Sequence, residues 1–561
     1  MTLPTKQICK RLGQVLALHP VAWLLAGGTL FWMWGGLIPR IRWNAIEMMM
    51  ARNLLAGNGL VVAPLDPPAL WRPLLGALVC ASVELFTTSP RLIYQIVYAV
   101  ALTTFSIASF YAARALWDAT AGHVACLFIL TSGALTSRLV NHVDSISHVV
   151  FLLAAGPALL FTVLALRSPT RRRLLAAGAA WGLAYLARWE AQLFFAIAAA
   201  ALLCALYAGH RDFRALWRGS FAVLGFAALY VPATTYEFWV KSHYGIWGPS
   251  AITTFYASEA WVTGTGDELA GAADAERKYG SLESNRFNVL WAIARHPAAF
   301  WARLRINIPR FLHLYMDRQF FDPVWLLLLL GLACGTGWTG TRRLTLGLLL
   351  LLFLSSTITI LCFHIDYRYL VAGLPSLVLL LCGGVTSFGN RVHRIFGRGK
   401  PAISVACLLL LGWRSGEASY RQLLAARNNP DRSAGIRTEE FARDLAQHFH
   451  RVVDPQRPTA LLVRPSRGSG MNPTDMFLVS YFAGTALAWP PPPLYPRDLI
   501  FSVRRRDPDY LYVPAELLYR TDLPLRGRPI AAYRANGGDV YYLFSNVLNA
   551  QTAPPAAPPK R

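Results

Sequence analysis

Apolar runs of about 20 residues recur from the N-terminus to about residue 413, with arginine clusters at alternate junctions between them. A helix rises about 1.5 Å per residue, so such a run crosses the roughly 30 Å hydrocarbon core of a bilayer. In lipid every backbone polar group needs an internal partner, which leaves the helix as the form these runs can take. The runs lie near 17–39, 91–113, 119–137, 144–166, 174–188, 189–208, 217–238, 323–339, 344–363, 369–388 and 401–413, about 11 spans in all. The fold class predicted is a polytopic α-helical membrane protein.

Arginine clusters decide the orientation. Arg167 with Arg171, Arg172 and Arg173, then Arg211, Arg214 and Arg218, then Arg342 and Arg343, then Arg391, Arg394, Arg398 and Lys400, sit at alternate junctions. Cytoplasmic loops carry such an excess, so these junctions are predicted to face the cytoplasm. The net charge of +24 belongs largely to this pattern and does not point to nucleic acid. A mean hydropathy of +0.37 over 561 residues argues against a soluble enzyme. No Cys-x-x-Cys metal pair or disulfide framework is present in the sequence. Lys6, Lys10 and Arg11 precede a first run too long for a signal-peptide core, which reads as an uncleaved first span.

Residues 1–413 are thus predicted as a transmembrane module with two large outer loops, 40–90 and 239–321. The first contains an amphipathic helix near 44–56, ended by Gly57-Asn58-Gly59, and an apolar piece, 73–88. If that piece crossed the membrane the arginine clusters would fall outside, so it reads as re-entrant or interfacial. The second loop carries a helix near 286–315, in which Arg303, Arg305 and Arg310 alternate with apolar residues as at a membrane interface. Residues 414–550 read as a small outer, periplasmic α/β domain, with a helix over Thr438 to His450 and strands at Thr459–Val463, Tyr510–Val513 and Val540–Phe544. An Ala/Pro-rich disordered tail, 551–561, follows.

Acidic groups are scarce among the spans, so those at the outer edge are the candidates for chemistry. They are Glu47 after the first span, Asp144 in Asn141-His142-Val143-Asp144, Glu190 in Arg188-Trp189-Glu190, and Asp366 in His364-Ile365-Asp366-Tyr367-Arg368-Tyr369. Arg72, in Trp71-Arg72-Pro73-Leu74, joins them. A carboxylate can take the proton of an attacking hydroxyl, and arginines can hold a phosphate leaving group. Structural readings stand beside these. Asp144 suits a helix N-cap, Arg188 and Glu190 suit an ion pair at a helical corner, and Arg368 and Tyr369 suit a snorkelling belt. His142 also suits a polar loop position, and no histidine pair has clear metal-ligand spacing.

Four pieces resemble the GT-C superfamily of polyprenyl-phosphate-sugar-dependent glycosyltransferases, in the branch around the aminoarabinose transferase of lipid A and the protein O-mannosyltransferases. They are Ala51-Arg52-Asn53-Leu54-Leu55-Ala56-Gly57-Asn58-Gly59 with Trp71-Arg72-Pro73-Leu74; Asp144; Gly182-Leu183-Ala184-Tyr185-Leu186-Ala187-Arg188-Trp189-Glu190; and Arg368-Tyr369-Leu370 with Pro375. The resemblance covers about residues 15–390. It implies a catalytic first-loop acid, Asp144 as a second acidic site residue, and Arg72 and Arg188 near the lipid phosphate. The first-loop Asp of that pattern falls at or just before Asn44 here. Either Glu47 takes its role one helical turn on, or the site lacks its base.

The expected activity is transfer of a sugar from a polyprenyl-phosphate carrier to an envelope acceptor (lipid, glycan or protein) at the outer face of the inner membrane. Glu47 and Asp144 are the expected catalytic residues. Arg72, Arg188, Glu190, Asp366, Arg368, Tyr369 and His142 are the expected substrate-binding ones. Membrane lipids are partners and nucleic acid is not. No cofactor is expected, though the acidic pair leaves room for a loosely held divalent metal. A transporter, or a non-catalytic relative that binds lipid-linked sugar, are the alternatives. Charges gathered at one face, with halves that do not repeat, speak against the transporter.

Overall fold

The computed structural model describes residues 46–61, 68, 73–131, 146–210, 217–244, 251–264, 268–286, 288–316, 340–363, 371–396, 417 and 443–452, and in the C-terminal part 460–462, 487–488, 510–514, 529–534 and 540–545. The helices are α1 (Ile46–Leu55), α2 (Leu74–Glu84), α3 (Pro90–Leu116), α4 (Ala119–Thr131), α5 (Ile146–Arg167), α6 (Arg171–Ala187), α7 (Ala191–His210) and α8 (Ser220–Tyr244). Then come α9 (Ala251–Ala257), α10 (Glu259–Thr263), α11 (Glu268–Tyr279), α12 (Val289–Arg295), α13 (Pro297–Met316), α14 (Gly340–Cys362), α15 (Leu374–Phe396) and α16 (443–452). Strands β1 (Ala460–Leu462), β2 (Leu487–Ala488), β3 (Tyr510–Pro514), β4 (Ala531–Arg534) and β5 (Val540–Ser545) form one sheet.

Among the described residues, five helical stretches are long and apolar enough to cross a membrane: Leu92–Leu116, Ile146–Arg167, Ala191–Ala208, Trp217–His243 and Arg342–Cys362. The spans expected at 17–39, 323–339 and 401–413 lie outside the described residues. At 11 residues α2 is about 16 Å long, too short to cross.

Small residues set the bundle's closest contact. A Cβ on Gly178 of α6 would lie 1.9 Å from the Ala222 carbonyl oxygen of α8, and one on Gly225 of α8 would lie 2.3 Å from the Leu175 carbonyl oxygen. Gly182, one turn beyond Gly178, continues the seam, its Cβ position 3.0 Å from the Leu229 side chain. Backbones can approach this closely because glycine carries no side chain. On another side of α6, the buried Trp181 Nε1–H donates to Thr162 Oγ1 of α5 at 3.1 Å. The aromatic rings of Tyr185, Phe195, Phe226 and Tyr230 fill the space beside the seam.

The arginine-rich end has local work to do besides setting orientation. Arg167 Nη1 donates to the Ala115 carbonyl at 2.6 Å, and Arg173 Nη1 to the Leu164 carbonyl at 3.3 Å. Both carbonyls belong to the last turns of α3 and α5, which carry the negative end of the helix dipole; the Leu164 carbonyl also accepts from the Ser168 N–H at 3.1 Å. Thr170 caps α6, its Oγ1 accepting from the Arg173 N–H at 3.4 Å.

The loop between α8 and α14 departs from expectation twice. The predicted single helix near 286–315 is two, α12 and α13, because Pro297 disfavours a helical residue before it and His296 sits at φ −127°, ψ 57°. Arg303, expected at a membrane surface, is buried. Its Nε donates to Glu259 Oε2 at 2.9 Å, its Nη2 donates to the same oxygen, and its Cζ lies 3.9 Å from the Phe255 ring centroid. Its Nη1 donates to the Cys362 carbonyl at 3.0 Å, and Asn307 Nδ2 donates to the Leu361 carbonyl at 2.8 Å. A charge this deep demands that set of partners, which an alternating sequence pattern does not reveal. Lys278 completes the cluster, 2.5 Å from Glu259 Oε1 and 2.7 Å from Asp274 Oδ2. Partial burial pulls its ammonium pKa down, but Asp274 and Glu259 outweigh that and hold it above the ordinary lysine range.

The sheet has the order β2-β1-β3-β5-β4, with β2-β1-β3 parallel and β3-β5-β4 antiparallel. The three expected strands are present; β2 and β4 were not expected. Leu445, Ala446 and Phe449 of α16 are buried, and His448 packs 5.3 Å from the Tyr533 ring of β4.

Candidate functional site

The Ala51–Gly59 piece folds as a helix end. Gly57 takes φ +82°, its N–H bonds to the Leu54 carbonyl at 3.1 Å, and the Asn58 N–H reaches back to the Asn53 carbonyl at 2.9 Å. This pairing closes a helix around a left-handed residue, which glycine adopts without strain. Asn53 is buried and donates to the Val61 carbonyl at 3.2 Å, tying the following loop to α1. The expected amphipathic character is corrected. Ile46, Glu47, Met48, Met49, Met50, Ala51 and Asn53 are all buried, because α2 covers the face that would otherwise be wet.

Glu47, in the first turn of α1, is fully buried. Its Oε1 accepts from the Ser147 N–H at 3.4 Å, in the first turn of α5. Exposed N–H groups and the positive end of the dipole make a helix start a favourable place for a carboxylate. Gly76 of α2 provides the room: a Cβ there would lie 3.0 Å from Glu47 Cγ. The carboxylate thus joins α1 to the start of α5, three residues after Asp144, with α2 laid over both.

α6 ends at the same face. Arg188 turns extended, at φ −156° and ψ 129°, and its side chain folds back on Glu190. Arg188 Nη2 donates to Glu190 Oε1 at 2.6 Å and Nε to Oε2 at 3.3 Å, a two-point clamp. The guanidinium lies 6.0 Å from the Phe151 ring centroid of α5. Burial pushes the Glu190 carboxyl up, but the charge and hydrogen bonds of Arg188 outweigh it and leave it below the ordinary carboxylate range. The Arg188 side chain is 7% exposed and that of Glu190 35%, so the pair stands at an edge with its acid on the more exposed side.

Beside the Arg188–Glu190 corner is a cleft lined by Pro73 and Leu74 at the start of α2, by Tyr185, Leu186 and Trp189, and by Ala233 and Glu237 of α8. Pro73 directly follows Arg72, and Trp189 lies between Arg188 and Glu190. Glu237, one residue inside the predicted end of the span 217–238, is a site acid that sequence reasoning missed. Its hydrogen bond with the Trp189 side chain ties α8 to the Arg188–Glu190 corner. Its one signal was an acidic residue in the last turns of an apolar run.

Of the expected site residues, Glu47, Arg188 and Glu190 are described, and all three fall at this face. Arg72, His142, Asp144, Asp366, Arg368 and Tyr369 lie outside the described residues. Among the described residues, no three His, Cys, Asp or Glu side chains gather to hold a metal ion.

No protein-family model and no curated protein matches the chain by sequence. Solved structures match it in fold. ArnT from Cupriavidus metallidurans, bound to undecaprenyl phosphate, aligns over 97% of this chain and 99% of its own, with a TM-score of 0.57 and 14% identity. The Archaeoglobus fulgidus oligosaccharyltransferase, in complex with Zn and sulfate, aligns over 93% of this chain and 72% of its own, with a TM-score of 0.53 and 12% identity. Helices of membrane-spanning length fit these two likenesses, which give the chain the fold that the two structures share.

Proposed function

We propose that this chain is a multi-pass inner-membrane glycosyltransferase that moves a sugar from a polyprenyl-phosphate carrier to an envelope acceptor. The observation that carries the reading is convergence at one end of a GT-C bundle. The α1–α2 layer, the start of α5 and the Arg188–Glu190 corner come from three separate stretches of sequence: Glu47 bonds to Ser147 of α5, Phe151 of α5 lies beside Arg188, and a cleft lined by Pro73, Leu74 and Trp189 joins α2 to that corner. ArnT, with the same fold, was solved with undecaprenyl phosphate bound.

In the proposed reaction an acceptor hydroxyl oxygen attacks the anomeric carbon of the carrier-linked sugar. The bond from that carbon to the phosphate oxygen breaks, and polyprenyl phosphate leaves with the electron pair. The hydroxyl proton passes to a carboxylate, for which Glu47 is the candidate, with Asp144 orienting the acceptor or donor. Arg188, Arg72 and Arg368 take the charge that develops on the phosphate. Glu190 keeps the Arg188 fork aimed, and Asp366, Tyr369 and His142 are further candidate contacts to the donor. The outer loop and the C-terminal domain, taken to lie on this same periplasmic side, shape acceptor access. No step in this reading requires a metal.

A second reading rests on the burial of Glu47. A carboxylate fully covered and bonded to a helix start serves structure without chemistry, and the chain is then a binder of lipid-linked sugar. Glu47→Gln separates the two. The amide oxygen still accepts from Ser147, but it cannot take a proton. Loss of isotope-labelled sugar transfer with unchanged undecaprenyl-phosphate binding assigns the base; full activity in the variant removes Glu47 from the chemistry. Binding itself is tested on the detergent-purified chain. Arg188→Ala and Arg72→Ala are each expected to weaken undecaprenyl phosphate by about tenfold or more, the worth of a charge-assisted contact. No binding by the intact, folded chain overturns the proposal.

A further inference from the structure

Helix α13 buries polar side chains beside the half-buried Phe300 and Phe311 and exposes apolar ones on its other face. Its buried face carries Arg303 and Asn307, which are polar. The opposite face carries Trp301, Arg305, Ile308 and Leu312, spaced four, three and four residues apart and therefore in one stripe along the helix. Trp301 and Leu312 are about half exposed, at 52% and 51%. A helix against water places these two faces the other way round. Something apolar belongs on the outer stripe.

Its position says what. The loop leaves the bundle at the end of α8 and packs against the end of α14, both helices long and apolar enough to cross a membrane. Arg303 and Asn307 bond to the Cys362 and Leu361 carbonyls, the last turn of α14. That pins α13 at the level where a spanning helix ends, the headgroup region rather than the aqueous space. The stripe also has the composition of that region. The Arg305 guanidinium lies 5.9 Å from the Trp301 ring centroid, an indole and a cation side by side. Nearby, Arg286 lies 4.6 Å from the ring centroid of Trp291, a residue of α12 that is exposed together with Leu290. Indoles settle at the boundary of hydrocarbon and water, and guanidiniums bond phosphate oxygens in pairs.

We propose that the α13 stripe is a lipid-binding surface that lies in the leaflet on the site's side, with Trp301, Ile308 and Leu312 in the acyl boundary and Arg305 on the phosphate of an anionic phospholipid. The surface does not depend on the transferase reading. It would hold the outer loop at a fixed depth beside the cleft, whatever passes through it.

The full chain in nanodiscs tests this. Leu312→Cys is labelled with a water-soluble maleimide and read peptide by peptide, with Arg277→Cys, on an exposed position of α11, as the aqueous reference. In nanodiscs of phosphatidylcholine with phosphatidylglycerol, labelling at 312 is expected to be about tenfold slower than at 277, the effect of a modest burial energy. Phosphatidylglycerol is expected to be enriched over phosphatidylcholine in the lipid retained after gentle detergent extraction, and Arg305→Glu to abolish that enrichment. Equal labelling at 312 and 277 overturns the surface. Slow labelling with no phosphatidylglycerol enrichment, or with enrichment that survives Arg305→Glu, overturns the assignment of an anionic headgroup.

Discussion

The Arg188–Glu190 clamp concentrates the candidate site's electrostatics in two side chains one residue apart. Because Arg188 is buried and Glu190 is partly exposed, the loss falls mainly on the arginine when the acid is removed. Glu190→Gln is expected to cost about 1 kcal/mol, a charged hydrogen bond discounted for solvent screening of the exposed partner. Thermal denaturation in detergent measures it. The pH dependence follows from the direction of the shift. Glu190 is held below its ordinary range in the folded chain, so the unfolded chain binds more protons in acid. Its stabilising share is complete above the usual glutamate value near 4.3, and is lost as pH falls through the lower folded value. Glu190→Gln should therefore flatten the acid limb of the stability profile, and an unchanged limb would refute the assignment. The clamp was readable from Arg188-Trp189-Glu190 because both partners lie in one tripeptide. The Glu47 contact with Ser147 joins residues 100 positions apart, and nothing local announces it.

Elements meet in two ways here, and each makes a prediction. The α6–α8 seam rests on absent side chains. Gly178→Ala puts a methyl where the Ala222 carbonyl oxygen stands, and that backbone cannot swing aside as a flexible side chain would. A cost of about 1–3 kcal/mol is expected, the usual range for overpacking. Gly182→Ala, whose methyl would come no nearer than 3.0 Å to the Leu229 side chain and 3.2 Å to the Phe226 carbonyl oxygen, should cost less. Comparing the melting temperatures of the two variants tests the order. The outer loop is held instead by buried charge. Glu259→Gln leaves Arg303 buried with its charge uncompensated, at about 3–5 kcal/mol. Limited proteolysis should then cut within 251–316 before the bundle melts. The Glu259→Gln, Arg303→Met pair should recover part of the loss, since it removes both charges. If the double variant is no better than the single, the ion pair is not what holds the loop.

The whole molecule is a membrane bundle with its polar residues sorted to two ends. Arg167 and Arg173 hold the ends of α3 and α5 at one end, and the candidate site lies at the other. The outer loop starts from the helix that carries Glu237, so it shares the site's end. By the parity of the predicted spans, residues 414–550 are expected on that side too. Protease added to sealed spheroplasts should cut both the 239–321 loop and the 414–550 region while sparing the 209–216 junction. Cleavage at 209–216 and protection of the other two would invert the topology.

The sequence by itself determined the class of molecule. Helices of bilayer length and clustered arginines act through nearest-neighbour chemistry and bulk partition, so their pattern is legible without coordinates. It also marked the corners of the candidate site, because Gly57 at a helix end and Arg188 beside Glu190 are local features. Only the tertiary structure decided which faces were covered. α1 reads as amphipathic but is buried because α2 lies over it, and α13 reads as an interfacial helix whose three arginines are alike. Folding sends Arg303 inward to Glu259 and the end of α14, and leaves Arg305 outside beside Trp301. The energy that separates those two arginines comes from partners 44 and 59 residues away, and that distance is what a sequence pattern cannot carry.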